Sequence, residues 1–207
     1  MVRRAIDDPS VVGVRSVCDR HGTEAPSPWV CRWTPLLPEG ARVLDLACGR
    51  GRHLRWLSGR GLHLSGVDRD PAALEQARAS LGDSAAEWVV ADLESGPWPF
   101  AGREFDALVV TNYLWRPLFP TLIACLAPGG VLLYETFASG HETVGRPARA
   151  EFLLQTGELL TQCASLRIVA YEDGFLDGPA RFVQRIAAVR RKPSAPTAAP
   201  ARYPLAQ

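Results

Sequence analysis

Short apolar runs alternate with helical spacing along the middle of the chain, and each run ends on a carboxylate or a small polar residue. Arg42 to Leu46 is such a run, ending in the loop Ala-Cys-Gly-Arg-Gly-Arg-His at 47–53. Near-continuous apolar runs are what parallel strands covered on both faces require, and Gly49 and Gly51 let the backbone turn tightly and approach a small ligand. Helical spacing from Leu54 to Ser58 stops at Gly59 and Gly61; Leu62–Val67 then predicts a second strand, ended by Asp68. Pro71 to about Leu81 predicts a helix closed by Gly82, Glu87–Ala91 a third strand ended by Asp92, and Phe105–Val110 a fourth ended by Thr111 and Asn112. A helix over Pro117–Leu126, closed by Pro-Gly-Gly at 128–130, leads to a fifth strand, Val131–Phe137. Strand and helix alternating in this way predict a doubly wound α/β sheet with its ligand site outside the carboxyl ends of the strands.

The flanks carry a weaker pattern. Residues 1–26 have mixed charges and no sustained period, which predicts a loosely ordered N-terminal segment up to the start of a domain at 27. Ser27 is placed as an N-cap with Pro28 at the first helical position, and Trp29 and Trp33 share one face of the short helix that follows. Those rings are expected to pack on the domain, with a lid over the site as the alternative reading. After Phe137 a polar loop precedes a helix near Glu158–Ala164, then strands at Leu166–Glu172 and Arg181–Arg190 joined by a turn, hence antiparallel. The domain ends near 191, and the Pro- and Ala-rich residues 192–207 are expected to be a disordered or irregularly docked tail.

Composition narrows the classes. With 207 residues, 47 % apolar and 22 % charged, the chain suits one globular domain with extensions. It contains no apolar segment near the roughly 18–20 residues that a membrane helix needs. The first ten residues lack the apolar stretch of a secretory signal, so a cytoplasmic location is expected. Five cysteines with no C-x-x-C pair argue against a disulfide framework and a thiolate zinc site, and no metal is expected. A formal net charge of +1 gives no electrostatic reason to expect nucleic acid as a partner.

Three acids on successive strands then acquire a joint meaning. Asp68 is placed to accept from two ribose hydroxyls, Asp92 from an exocyclic adenine amine, and Asp45, inside the first strand, to orient an amino group. Alone, each is as readily a helix cap; together with the glycine loop they outline S-adenosylmethionine. A dinucleotide is the competitor, and Asp68 would serve it, but the third glycine of its G-x-G-x-x-G fingerprint is Leu54 here and Asp45 has no role in it.

At these residues the sequence resembles the class I S-adenosylmethionine-dependent methyltransferases. The resemblance rests on Val-Leu-Asp-Leu-Ala-Cys-Gly-Arg-Gly (43–51), Gly-Val-Asp-Arg-Asp (66–70), Val-Val-Ala-Asp-Leu (89–93), Phe-Asp-Ala-Leu-Val-Val-Thr-Asn-Tyr-Leu (105–114) and Pro-Gly-Gly-Val-Leu-Leu-Tyr-Glu-Thr-Phe (128–137). It implies a Rossmann-like sheet of seven strands in the order 3-2-1-4-5-7-6, the last antiparallel. It also implies a donor site built from Asp45, Ala47, Cys48, Gly49, Gly51, His53, Asp68, Arg69, Asp92, Leu93 and Thr111. Ala47 stands where the family usually has the first motif glycine. Gly-Arg-His at 51–53 and Glu-Phe-Leu-Leu-Gln-Thr-Gly-Glu-Leu-Leu at 151–160 look like the tellurite-resistance group of small bacterial methyltransferases.

The expected activity is therefore methyl transfer to a small molecule. A thiolate or reduced chalcogen would suit a site without a dedicated base, since it needs no proton removed. Tyr113, His141 and Arg146 are the catalytic candidates near the ends of strands four and five, with Glu135 read as a structural hydrogen-bonding group. Asn112-Tyr113 lacks the prolines of the Asn/Asp-Pro-Pro-Tyr/Phe motif that grips a flipped base. A donor-binding module without turnover is the alternative from another class, and RNA or protein methylation a lesser one.

Overall fold

The computed structural model describes residues 25–81, 86–193 and 201–205. Seven strands, β1 (Arg42–Leu46), β2 (His63–Asp68), β3 (Ala86–Val90), β4 (Phe105–Thr111), β5 (Leu126–Phe137), β6 (Arg167–Asp177) and β7 (Ala180–Val189), form one sheet in the order β3-β2-β1-β4-β5-β7-β6. β1 to β5 are parallel to one another; β7 runs antiparallel to both β5 and β6. The order implied by the resemblance is the order found. The segment expected at 1–26 lies outside the described residues up to 24, as do Gly82 and most of the tail; Tyr203 packs against the apolar cluster under the first helix.

Alternation within the buried strands separates two apolar layers. Leu44, Leu46, Leu108 and Val110 face α4 (Phe119–Cys125) and α5 (Glu158–Gln162), where Phe119, Leu122 and Leu159 meet them. Val43, Ala107, Val109, Val131 and Leu133 face α1 (Pro28–Trp33), α2 (Arg52–Leu57) and α3 (Pro71–Leu81), where Trp29, Trp33, Leu54, Leu57 and Leu74 cover them. By the same parity Asp45 and Glu135 fall on the α1 side of the sheet, and both are fully buried. Ser27 caps α1 by accepting from the Trp29 N–H at 3.1 Å, and Trp29 and Trp33 meet edge to face at 5.6 Å, both within the core. The packing reading of those rings holds.

Three elements depart from expectation. α4 begins at Phe119 after a 3₁₀ turn at Arg116–Leu118, because Pro120 has no N–H to continue a helical ladder and is tolerated only in a first turn. Pro-Gly-Gly does not end a helix; it lies inside β5, where Leu126 pairs with Phe105 and the register shifts before Val131 pairs with Ala107. Gly129 N–H donates to the Arg190 carbonyl and Arg190 N–H to that of Gly130, so the excursion is carried on the end of β7. The last hairpin is also longer than expected, turning at Gly178-Pro179, since Phe175 packs across the ladder against Phe182, ring centres 4.9 Å apart and planes tilted. No helix among the described residues is long and apolar enough to cross a membrane.

Candidate active site

Two cavities open at the carboxyl ends of the parallel strands and share Ala47 and Asn112. These two are also the only non-glycine residues among those described whose backbone is left-handed, at φ 49° and 55°. A non-glycine residue there is strained, and such strain concentrates at ligand sites. The first cavity, about 360 Å³, is walled by Asp68, Arg69, Asp92, Leu93 and Tyr113, and on its far side by Phe137, Pro147 and Phe152. The second, about 490 Å³, includes Cys48, Gly49, Arg52, His53 and Thr111.

The strand-end acids are aimed by their own turns. Asp68 Oδ2 accepts from the Gly49 N–H at 2.8 Å and Oδ1 from the Asp70 N–H at 2.9 Å, so the second strand holds the glycine loop while each oxygen keeps a free lone pair toward the cavity. Asp92 accepts from the Ser95 hydroxyl (2.6 Å) and the Glu94 N–H (2.9 Å), which hold its exposed carboxyl below the usual carboxylate range. Gly51 is required twice over: its φ is +70°, and a Cβ there would lie 3.0 Å from that of Ala77. Burial, and then the charges of Asp45 and Asp68, push the Cys48 thiol far above its ordinary value, which makes it a small packed loop residue and not a nucleophile.

Asp45 lies deeper than expected. It lines neither cavity; neither carboxylate oxygen has a hydrogen-bond partner, and the Nδ1 of buried His53 stands 3.7 Å away. His53 Nε2 in turn accepts from the Ser27 N–H at 3.2 Å, which leaves the ring proton on the nitrogen facing Asp45. Ser27 Oγ donates to Glu135 Oε1 at 3.0 Å, and Arg181 and Arg185 flank Glu135 at 3.6 and 3.5 Å. A chain of buried polar groups thus runs from the glycine motif through the start of α1 to β5 and β7.

Sequence reasoning took Ser27 only as a cap, weighed Asn112 only for a base-gripping motif that it does not complete, and did not single out Arg181 or Arg185. One signal was there to find: Glu135 falls on the same face as Val131 and Leu133, a single acid in an apolar strand that needs a buried cation.

Of the catalytic candidates, Tyr113 lines the first cavity with a buried hydroxyl that has no partner, and burial raises its pKa so that it stays protonated. His141 and Arg146 line neither cavity. The buried ring of His141 stacks on Phe137 at 4.4 Å, and its Nε2 meets the Arg146 carbonyl at 3.0 Å, next to cavity-lining Pro147; the Arg146 side chain is exposed.

The residues present fit S-adenosylmethionine. A half-buried carboxylate with free lone pairs stands at the second strand end, an open loop with strained Ala47 beside it, and the first cavity has both acidic and apolar walls.

Comparison with known proteins gives the same direction. Residues 43–130 match the methyltransferase domain family. The chain is 39 % identical over 121 residues to trans-aconitate 2-methyltransferase of Paracidovorax citrulli, covering 55 % of this chain and 45 % of that one. It is 31 % identical over 173 residues to tRNA U34 carboxymethyltransferase of Klebsiella pneumoniae, covering 75 % and 50 %. The chain spans about half the length of these curated relatives. Among solved structures TehB from Haemophilus influenzae superposes with a TM-score of 0.67 at 19 % identity, over 82 % of this chain and 64 % of that one. Residues 43–130 thus align with the methyltransferase domain family, and the seven-stranded sheet that carries them has the strand order of the class I S-adenosylmethionine-dependent methyltransferase fold.

Proposed function

We propose that the chain transfers a methyl group from S-adenosylmethionine to a small molecule. The observation that carries this reading is the meeting of the two cavities at Ala47 and Asn112, with ribose- and adenine-directed acids on one side and the glycine loop on the other. Asp68 accepts from the ribose hydroxyls, Asp92 from the adenine amine, and Arg69 and Leu93 flank the base. Ala47, Cys48, Gly49 and Gly51 form the backbone cradle at the methionine end, with Thr111 and His53 beside it, the Ser27 N–H fixing the His53 tautomer and Asp45 lying beneath. Bound there, S-adenosylmethionine supplies a methyl group on a sulfonium whose leaving group departs neutral.

The chain's own part is positioning and exclusion of water. Tyr113, held protonated, donates a hydrogen bond toward the acceptor and removes no proton. His53 Nε2 is occupied by the Ser27 N–H. An acceptor whose nucleophilic atom is already ionised, a thiolate or a reduced chalcogen, fits such a site. His141 acts through the Arg146 carbonyl to seat Pro147 in the wall.

Incubation of the purified chain with labelled donor and thiol, selenite, tellurite, carboxylate and phenolic acceptors should move label to at least one ionised acceptor. Donor binding by calorimetry without transfer to any acceptor, in the panel or in a cell extract, would leave a regulatory module as the function. A second reading, an RNA acceptor, draws on the tRNA-modifying relative that matches 75 % of this chain; transfer of label to total tRNA but to no small molecule would establish it.

A further inference from the structure

The two cavities have opposite electrostatic character. Asp68, Asp92 and Glu94 outnumber Arg69 in the first, whereas the second carries Arg50, Arg52 and Arg55 beside His53, with no aspartate or glutamate among its lining residues. In a chain whose formal net charge is only +1, that concentration is local. Arg55 is half-buried, and its guanidinium is held by neutral groups, the Arg50 carbonyl at 2.6 Å and the Ser80 hydroxyl at 2.8 Å. Burial lowers its pKa and no carboxylate raises it again. A guanidinium fixed by two neutral acceptors keeps its remaining N–H groups as a fork suited to a carboxylate or phosphate. Arg52 donates to the Thr111 hydroxyl at 3.2 Å beside the glycine loop, where the donor's single carboxylate is expected, whereas Arg55 and Ser80 stand where α2 meets α3, beyond that loop.

We propose that the α2–α3 end of the second cavity is an anion subsite, and that the small molecule methylated beside it carries a carboxylate or phosphate group. The assignment of the neighbouring glycine loop to the donor rests on the function proposed above; the subsite itself rests on the arginines. Arg55 supplies the fixed fork, exposed Arg50 closes on the anion from the loop, and Gln76 offers a neutral donor from α3.

The test is calorimetric titration of inorganic phosphate and of malonate into the full chain, both alone and saturated with S-adenosylhomocysteine. At least one probe should bind in both states, and which one separates phosphate from carboxylate. Arg55→Gln and Arg50→Gln should each weaken that probe about tenfold, the loss expected for a charge-assisted contact, and leave S-adenosylhomocysteine affinity within about twofold. Arg78→Gln, on the exposed face of α3 and outside the cavity, should change neither. Four outcomes overturn the subsite: no probe binds the wild-type chain; saturation with S-adenosylhomocysteine abolishes probe binding; Arg55→Gln weakens S-adenosylhomocysteine as much as the probe; or Arg78→Gln matches Arg55→Gln. Failure of S-adenosylhomocysteine to bind would sink the donor reading alone, because titration of the unsaturated chain still decides the subsite.

Discussion

Along β1 to β3 two of the strand-end acids, Asp68 and Asp92, are aimed by N–H and hydroxyl groups two or three residues further on, with the Gly49 N–H added for Asp68, whereas the polar chain under α1 is gathered from across the sequence. Ser27 reaches His53 over 26 positions and Glu135 over 108, and Arg185 reaches Glu135 over 50. The first region is local chemistry repeated at each strand end; the second exists only once the sheet has closed. Substitutions should therefore separate them, with ligand affinity moving in the first and global stability in the second.

The largest effect is expected at Glu135. Its carboxylate is fully buried between two guanidiniums and accepts the Ser27 hydroxyl; Glu135→Leu takes from Arg181 the carboxylate beside it, while Arg185 keeps Glu172 at 2.8 Å, at a cost of about 3 kcal/mol. The melting temperature should fall by roughly 10 °C. A drop of only a degree or two would mean that the arginines turn to solvent, and that the cluster does not tie α1 to the sheet.

Asp68→Ala should act the other way. The residue is only half-buried and its backbone partners lie in loops, so the fold should melt within a few degrees of wild type. Two hydrogen bonds to a charged group are lost on the ligand side, together worth roughly a hundredfold in donor affinity by calorimetry. Wild-type affinity in this variant would remove the ribose assignment.

What could be read in advance follows the same division. The strands, the glycine loop and the acids were legible because spacing within a dozen residues determines them: an apolar run, a turn, a carboxylate; the strand order came only from the family resemblance. Asp45 was assigned to the ligand because it belongs to that run, yet parity in β1 buries it behind His53, and the depth of a side chain depends on what covers its face. Arg181 and Arg185 gave no local sign, since neither β7's position beside β5 nor the arrival of α1 above both is written in their neighbours. The β5 excursion misled for a related reason: Pro-Gly-Gly is a turn signal locally, and only the β7 partner makes it part of a strand.

Ser27 joins the two regions and should give an intermediate effect. Ser27→Ala removes the cap on α1 and one acceptor–donor contact to Glu135 but keeps the backbone N–H on His53, so a loss of about 1–2 kcal/mol is expected in denaturant unfolding. If donor affinity falls with it, the polar chain also sets the loop geometry. Unchanged affinity confines its role to holding α1.

Ala47 offers the smallest and most local test. Its Cβ is carried at φ 49°, a conformation that costs an L-residue about 1 kcal/mol or more and a glycine almost nothing. Ala47→Gly relieves that strain and adds freedom to the unfolded chain, two effects of opposite sign, the second worth about 0.4–1 kcal/mol. The net expectation is a gain of at most about 1 kcal/mol, read as a melting temperature higher by roughly 2–4 °C, with donor affinity unchanged. A lower melting temperature would mean that the methyl group of Ala47 makes packing contacts outweighing the strain. Equal stability with weaker donor binding would mean that the alanine holds the loop in its binding shape, so that the strain belongs to the site and not to the fold.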